Sequence, residues 1–264
     1  MNQICIDQIG HRLELPSEVR TIVSTVPSQT EWLFDLGLGE RVVGVTKFCI
    51  HPLEACRSKI QIGGTKQLKL DVIRQLKPDL IIANKEENTA SDIEALQQQH
   101  AVWTSDIVRL QDSYEMMTSL GSVLQCKERA ETMVSDIQEG FRSLPWRKPV
   151  RALYLIWNDP WMAVGSSTFI HHMMEAAGFS NAADQLSDPR YPIVSAQDVM
   201  DLQPEVILLS SEPFPFDERH RKQFEAQFPD IRTQLVDGEI FSWYGSRMKR
   251  APSYFNQIHQ FDFQ

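Results

Sequence analysis

Leu70-Asp71-Val72-Ile73-Arg74-Gln75-Leu76-Lys77-Pro78-Asp79-Leu80-Ile81-Ile82-Ala83-Asn84-Lys85-Glu86-Glu87-Asn88 decides the fold, because the chain repeats its grammar later. The echo is Gln197-Asp198-Val199-Met200-Asp201-Leu202-Gln203-Pro204-Glu205-Val206-Ile207-Leu208-Leu209-Ser210-Ser211-Glu212. Each copy reads as a short amphipathic helix stopped by Pro78 or Pro204, then an acid, then four apolar residues without a polar interruption. Such a run, entered through a Pro-Asp or Pro-Glu turn, suits a parallel strand buried on both faces. Both runs spill into polar stretches carrying Glu86 with Glu87, or Glu212. In an open α/β sheet, ligands bind outside the carboxyl ends of the strands.

The repeat extends upstream. Leu33–Leu38 and Met173–Phe179 read as helix ends with Gly37 and Gly178 near the C-cap. Ahead of them lie the strand candidates 21–26 and 151–157. Strand, helix, strand, helix, strand therefore occurs twice in one order. Generic α/β alternation would also produce this, but the shared Pro-acid-strand phrase favours a pseudo-twofold pair of lobes. The expected architecture is α/β, with two Rossmann-like lobes carrying parallel sheets and joined by a single long backbone helix. Residues 1–108 form the first lobe, 109–147 the connecting helices and 148–264 the second lobe.

Between the lobes, Tyr114, Met117, Leu120, Val123 and Leu124, then Ala130, Met133, Val134, Ile137 and Phe141, recur at helical spacing. This predicts two helices with a break around Gly121–Lys127. The leading residues 1–20 read as a hairpin turning at Asp7-Gln8-Ile9-Gly10. After the strand ending at Val26, Pro27-Ser28-Gln29-Thr30-Glu31 predicts a capping box of Ser28 with Glu31. A helix N-terminus placed there can receive an anion or a polar ligand edge, although an ordinary cap explains Ser28 as well.

The chain has 264 residues, 42% of them apolar, which is enough for a substantial core. A formal charge of −9 argues against nucleic acid or an anionic membrane face as partner. No apolar run is long enough to span a bilayer. The first residues show no secretion signal, so a cytoplasmic protein is expected if Met1 is the native start. Four scattered cysteines suggest no disulfide framework. Cys49, His51 and Cys56 invite a metal, yet no second ligand pair stands nearby. No metal is expected, with His51 the only candidate. No required cofactor is expected either.

The remaining signal is aromatic. Trp157 and Trp161 follow the first strand of the second lobe, Tyr191 comes later, and Phe241-Ser242-Trp243-Tyr244-Gly245-Ser246-Arg247 forms a late cluster. Each Trp offers roughly 150–250 Å² for a flat ligand, or equally for the core. There is no Gly-x-Ser-x-Gly elbow, His-Glu-x-x-His pair, phosphate loop or Cys-x-x-Cys, so an enzyme is not expected.

Val26-Pro27-Ser28-Gln29-Thr30-Glu31, the Val43-Gly44-Val45-Thr46 strand and Leu76-Lys77-Pro78-Asp79-Leu80-Ile81-Ile82, with the two-lobe order, resemble the helical-backbone substrate-binding proteins of ABC importers. Within that family the chain looks most like the cobalamin receptors; ferric-siderophore and haem receptors share the fold. The resemblance implies a rigid, non-enzymatic receptor with its ligand in the cleft between lobes, a periplasmic or cell-surface role, and an acid on each lobe docking onto the permease dimer. Phe48 stands where the cobalamin receptor has a site tyrosine, and Tyr191 where it has a site tryptophan. Thr65 replaces another site tryptophan. Asp71 matches the first docking acid, while Gln197 takes the place of the second with Asp198 beside it.

The expected ligand is thus a corrinoid or related metal chelate. Phe48, Trp157, Trp161, Tyr191, Trp243 and Tyr244 would stack on it. Lys85, Glu86, Glu87, Asn88 and Arg247 would orient it, with Ser28, Cys49, His51 and Thr65 as further contacts. The alternatives are a haem or ferric-siderophore receptor, a cytoplasmic corrinoid or metal-chelate sensor without a transporter, and an α/β enzyme.

Overall fold

The computed structural model describes residues 2–259, and the chain divides into two compact units. Among the described residues, the first takes 2–107, 111–138 and 244–247; the second takes 108–110, 139–243 and 248–259.

The first unit opens with the expected hairpin, β1 (Gln3–Ile6) and β2 (Arg12–Leu15), its turn held by Asp7 Oδ1 accepting from the backbone N–H of Ile9 and His11. There follow β3 (Ile22–Ser24), α1 (Pro27–Asp35), β4 (Val42–Val45), α2 (Leu53–Arg57), β5 (Ile60–Gln61), and the small hairpin β6 (Gly63–Gly64) and β7 (Gln67–Leu68). Then come α3 (Leu70–Leu76), β8 (Leu80–Asn84), α4 (Ala90–Gln97) and β9 (Val102–Ser105). The main sheet runs β5-β4-β3-β8-β9, all parallel. β8 is buried at every position, as its uninterrupted apolar run requires. Val23, Ile81, Ala83 and Val102 pack on Ile62, Ile73 and Leu96.

Two helices continue the chain, α5 (Leu110–Val123) and α6 (Lys127–Arg142). The break between them carries Gln125 at φ 59°. Gly121 lies within α5, where a Cβ would collide with the Cβ of Ala130 on α6. α6 carries the chain from the first unit into the second and buries Ala130, Val134 and Ile137 at i, i+4 and i+7. Residues 111–138 of these two helices belong to the first unit, and α6 runs on into the second from residue 139.

The second unit contains β10 (Val150–Asn158), β11 (Trp161–Ala163), α7 (Phe169–Ala176), β12 (Phe179–Asn181), α8 (Ala196–Leu202) and β13 (Val206–Ser210). It continues with α9 (Glu218–Gln227), β14 (Arg232–Val236), α10 (Gly238–Ser242) and α11 (Ala251–Ile258). β12, β10, β13 and β14 are parallel, and β11 returns antiparallel along β10. Both faces are covered. Leu153, Leu155, Ile207 and Leu209 meet Val199, Phe216 and Phe224, while Tyr154 points the other way onto Phe241, ring centroids 5.2 Å apart.

The sequence repeat extends to individual hydrogen bonds. α3 and α8 both end in a left-handed residue, Lys77 at φ 46°, ψ 55° and Gln203 at φ 47°, ψ 55°, each followed by its proline. The next acid then reaches back to the neighbouring strand. Asp79 Oδ2 accepts from the backbone N–H of Arg20 and Thr21 at 2.8 and 2.9 Å, and Glu205 Oε2 from that of Arg151 at 2.8 Å. Asp79 N and Glu205 N donate to Thr21 O and Arg151 O in turn. The Pro-acid turn therefore ties each buried strand to the start of its partner. Gly37 and Gly178, at φ 72° and 84°, end α1 and α7 as their positions suggested.

Candidate ligand-binding site

Each unit presents its own carboxyl sheet edge. In the first, the strand ends supply Thr25, Asn84 and Ser105, and α1 supplies Ser28 and Gln29, all buried. Thr25 Oγ1 donates to Asn88 Oδ1 at 2.8 Å, and Asn88 Nδ2 donates to the backbone oxygen of Thr65 at 3.0 Å. Gln29 Nε2 and Asn84 Nδ2 both donate to Ser105 Oγ, at 2.6 and 2.9 Å. Asn84 Oδ1 accepts from the N–H of Glu86 and Glu87, which fixes the turn carrying those acids. Thr65 enters through its backbone oxygen, and Lys66 Nζ donates to Glu86 O.

Tyr244 joins this edge from late in the chain. Burial pushes its phenol far up, the charge of Glu87 adds to that, and hydrogen bonds with Ser105 and Ser28 oppose it. The phenol keeps its proton and can serve as a donor. Beside it, Gly245 N donates to Ser113 Oγ, and Gly245 at φ 89° is a conformation that glycine tolerates best.

The expected capping box does not form. Pro27 occupies the first turn of α1, its N-cap Val26 has no side-chain cap bond, and Glu31 is claimed by Arg247. Arg247 Nε and Nη2 grip Glu31 Oε2 and Oε1 at 2.8 and 2.7 Å, with the two side chains 4% and 6% exposed. The guanidinium expected to orient a ligand is therefore bound to a buried carboxylate. Lys85, also expected to orient a ligand, is exposed and pairs with Asp106 at 2.6 Å.

Cys49, buried, lies between the hydroxyls of Thr30 and Thr46 at 3.1 and 3.3 Å, and burial raises its thiol pKa. The Cys56 thiol is pushed up to about 11, mainly by burial, and donates to His51 O. Both pack as small, largely apolar groups within the first unit. Nearby, Phe48 is 49% exposed, with Lys47 Nζ 4.9 Å from its ring centroid.

In the second unit, β10 ends at Trp157, 40% exposed, its ring edge-on to Phe214 and its Nε1 donating to Asp159 O. Trp161, expected as a stacking residue, instead packs on Phe224 and Phe228 at 4.8 and 6.0 Å, because β11 turns it toward the apolar side of the sheet. Tyr191 is half-buried with the Arg190 guanidinium 6.0 Å from its ring. Trp243 is buried, and its Nε1 donates to Glu212 Oε1 at 2.9 Å.

Glu212 is the residue this edge turns on. Ser242 Oγ also donates to its Oε1, and burial raises its pKa against the lowering by those two donors, with repulsion from Glu239 and Asp237 adding to the rise. Its position after a buried strand marked it only as one polar residue of an edge. The contact with Trp243, 31 residues on, carries no local signal. Of the expected docking acids, Asp71 is largely exposed and pairs with Arg74 at 2.8 Å. Asp198 forms a capping box with Ser195 at the start of α8.

Solved structures share this fold. The chain superposes on a periplasmic heme-binding protein from Pseudomonas aeruginosa with a TM-score of 0.77 at 20% identity, covering 91% of this chain and 92% of that one. For the periplasmic vitamin B12 binding protein BtuF of Vibrio cholerae the TM-score is 0.73 at 19% identity, over 92% and 99%. In sequence, it is 25% identical over 244 residues to the vitamin B12-binding protein of Vibrio parahaemolyticus, covering 89% of this chain and 88% of that relative. These relatives are binding proteins, not enzymes. Residues 22–230 match the model of the periplasmic binding protein family, spanning the first parallel sheet, the second sheet up to β13 and both Pro-acid turns, and the chain belongs to that family.

Proposed function

We propose that the chain is the receptor of an ABC importer and holds a corrinoid or a related metal chelate against the carboxyl edges of its sheets. The observation that carries this reading is the likeness over 89% of the chain to a vitamin B12-binding protein. The exposed rings of Phe48 and Trp157, each beside a polar edge, supply surfaces on which a flat macrocycle stacks. Haem is the second reading, favoured by structural neighbours described as heme-binding. Asp71 and Asp198 are the acids proposed to meet the permease.

The test is a titration of the purified chain and its Phe48→Ala and Trp157→Ala variants with cyanocobalamin, haemin and ferric chelates. Loss of one ring lowers affinity about tenfold or more, from roughly 1.5 kcal/mol of stacking. Unchanged affinity in both variants would refute the stacking role. Asp71→Ala is expected to leave ligand affinity unchanged while lowering uptake by cells carrying the cognate importer.

A further inference from the structure

We propose that α7 of the second unit carries a divalent-cation site whose protein ligands are His171 Nε2, His172 Nδ1 and a carboxylate oxygen of Glu175. The sequence His171-His172-Met173-Met174-Glu175 places Glu175 four residues after one imidazole and three after the other, the spacings at which helical side chains meet. The helix is firmly seated. Thr168 Oγ1 caps His171 N at 3.2 Å, and Phe169, Ile170, Met173 and Met174 are buried.

His171 Nε2 lies 3.5 Å from Glu175 Oε1, and His172 Nδ1 lies 3.0 Å from Glu175 Oε2. One ligand atom from each of the three residues falls within a 4.8 Å set. A tetrahedral ion with metal–nitrogen bonds of about 2.0–2.1 Å separates its ligand atoms by roughly 3.3 Å, so small side-chain rotations close the set. The imidazole rings stand 4.9 Å apart at 78°, which lets two lone pairs converge from different directions. Two imidazoles and one carboxylate suit a zinc-class divalent ion and leave a fourth position for water.

Two outer contacts meet the other nitrogen of His171. Asp184 Oδ1 lies 3.4 Å from His171 Nδ1. A carboxylate there can accept a proton carried on Nδ1, the tautomer in which the Nε2 lone pair is free for an ion. Asn181 Nδ2, held by donating to Val164 O while its Oδ1 accepts from Ala183 N, also faces His171 Nδ1 at 3.3 Å as a donor. Ion binding through Nε2 therefore moves the imidazole proton to Nδ1 and exchanges this contact for the one to Asp184. Glu175 and Asp184 together balance the charge of a dication. This site is independent of the chelate-binding reading, since none of its residues belongs to the sheet edges described above.

The experiment is calorimetric titration of the chelator-treated chain with Zn²⁺, repeated on His172→Ala and Glu175→Gln, with circular dichroism confirming that each variant folds. His172 and Glu175 both reach solvent, so these changes leave the helix core intact. One ion per chain is expected, with affinity falling at least about a hundredfold in either variant, beyond the 10–100-fold expected of an outer-shell partner. Zn²⁺ should raise the thermal midpoint of the wild-type chain and not that of His172→Ala. Absence of saturable binding up to millimolar Zn²⁺ would overturn the proposal. Binding of equal strength in wild type and both variants would overturn it as well, by locating the ion elsewhere.

Discussion

Glu31 and Arg247 are 216 residues apart and form a buried two-point ion pair. Removing one partner strands a charge away from water, so Glu31→Gln or Arg247→Met should each cost about 3–5 kcal/mol in urea denaturation, and the double variant should recover much of that loss. Neither role was legible locally. Glu31 stands where a capping acid would, and Arg247 stands among aromatics as a ligand-facing arginine would. Only the fold shows that each is the other's counter-ion. Glu212 presents the opposite case, a half-buried carboxylate held by a hydroxyl and an indole N–H. Its pKa is raised in the folded chain above the ordinary 4.5. Folded protein therefore binds that proton more tightly than unfolded protein does. Its contribution to stability is fully present below pH 4.5 and is lost as pH rises through the raised value. Glu212→Gln keeps an acceptor for Ser242 and Trp243 without the charge. Thermal melts should show it more stable than wild type at pH 8 and indistinguishable at pH 4.

At the scale of elements, the Pro-acid turn is the unit of construction. Asp79 satisfies two backbone N–H groups of the adjoining strand and Glu205 satisfies one. An orphaned backbone donor costs about 1–3 kcal/mol, so Asp79→Ala should destabilise more than Glu205→Ala in denaturant titrations, and equal costs would deny the acids this role. The packing of α5 on α6 makes a second prediction. Any Cβ at position 121 meets Ala130, so Gly121→Val should cost about 1–3 kcal/mol or more by overpacking. Both buried strands, the hairpin at 1–20 and the glycine helix ends were readable, because each rests on contacts between near neighbours. The start of α1 was misread because Pro27 already fills the first turn. The side to which β11 turns Trp161 was hidden because it depends on Phe224 and Phe228, more than sixty residues away.

At the scale of the whole molecule, two copies of one strand-and-helix order gave the family its signature, and a match over residues 22–230 agrees with it. The site was less legible than the fold. Of the six aromatics expected to stack, Phe48 and Trp157 are well exposed, Tyr191 is half-buried, and Trp161, Trp243 and Tyr244 make contacts with the protein itself. Trp and Tyr serve core and ligand with the same apolar surface, so sequence alone does not separate the two uses. The proposed ligand class rests on what those rings could cover, which makes binding the most direct test. Tryptophan fluorescence of the purified chain should be recorded during titration with cyanocobalamin, haemin and ferric chelates, with absorbance alongside. Saturable one-to-one quenching by a single compound at micromolar concentration or below is the predicted result. No quenching by any of these compounds, or equal weak quenching by all of them, would contradict a receptor for a flat metal chelate.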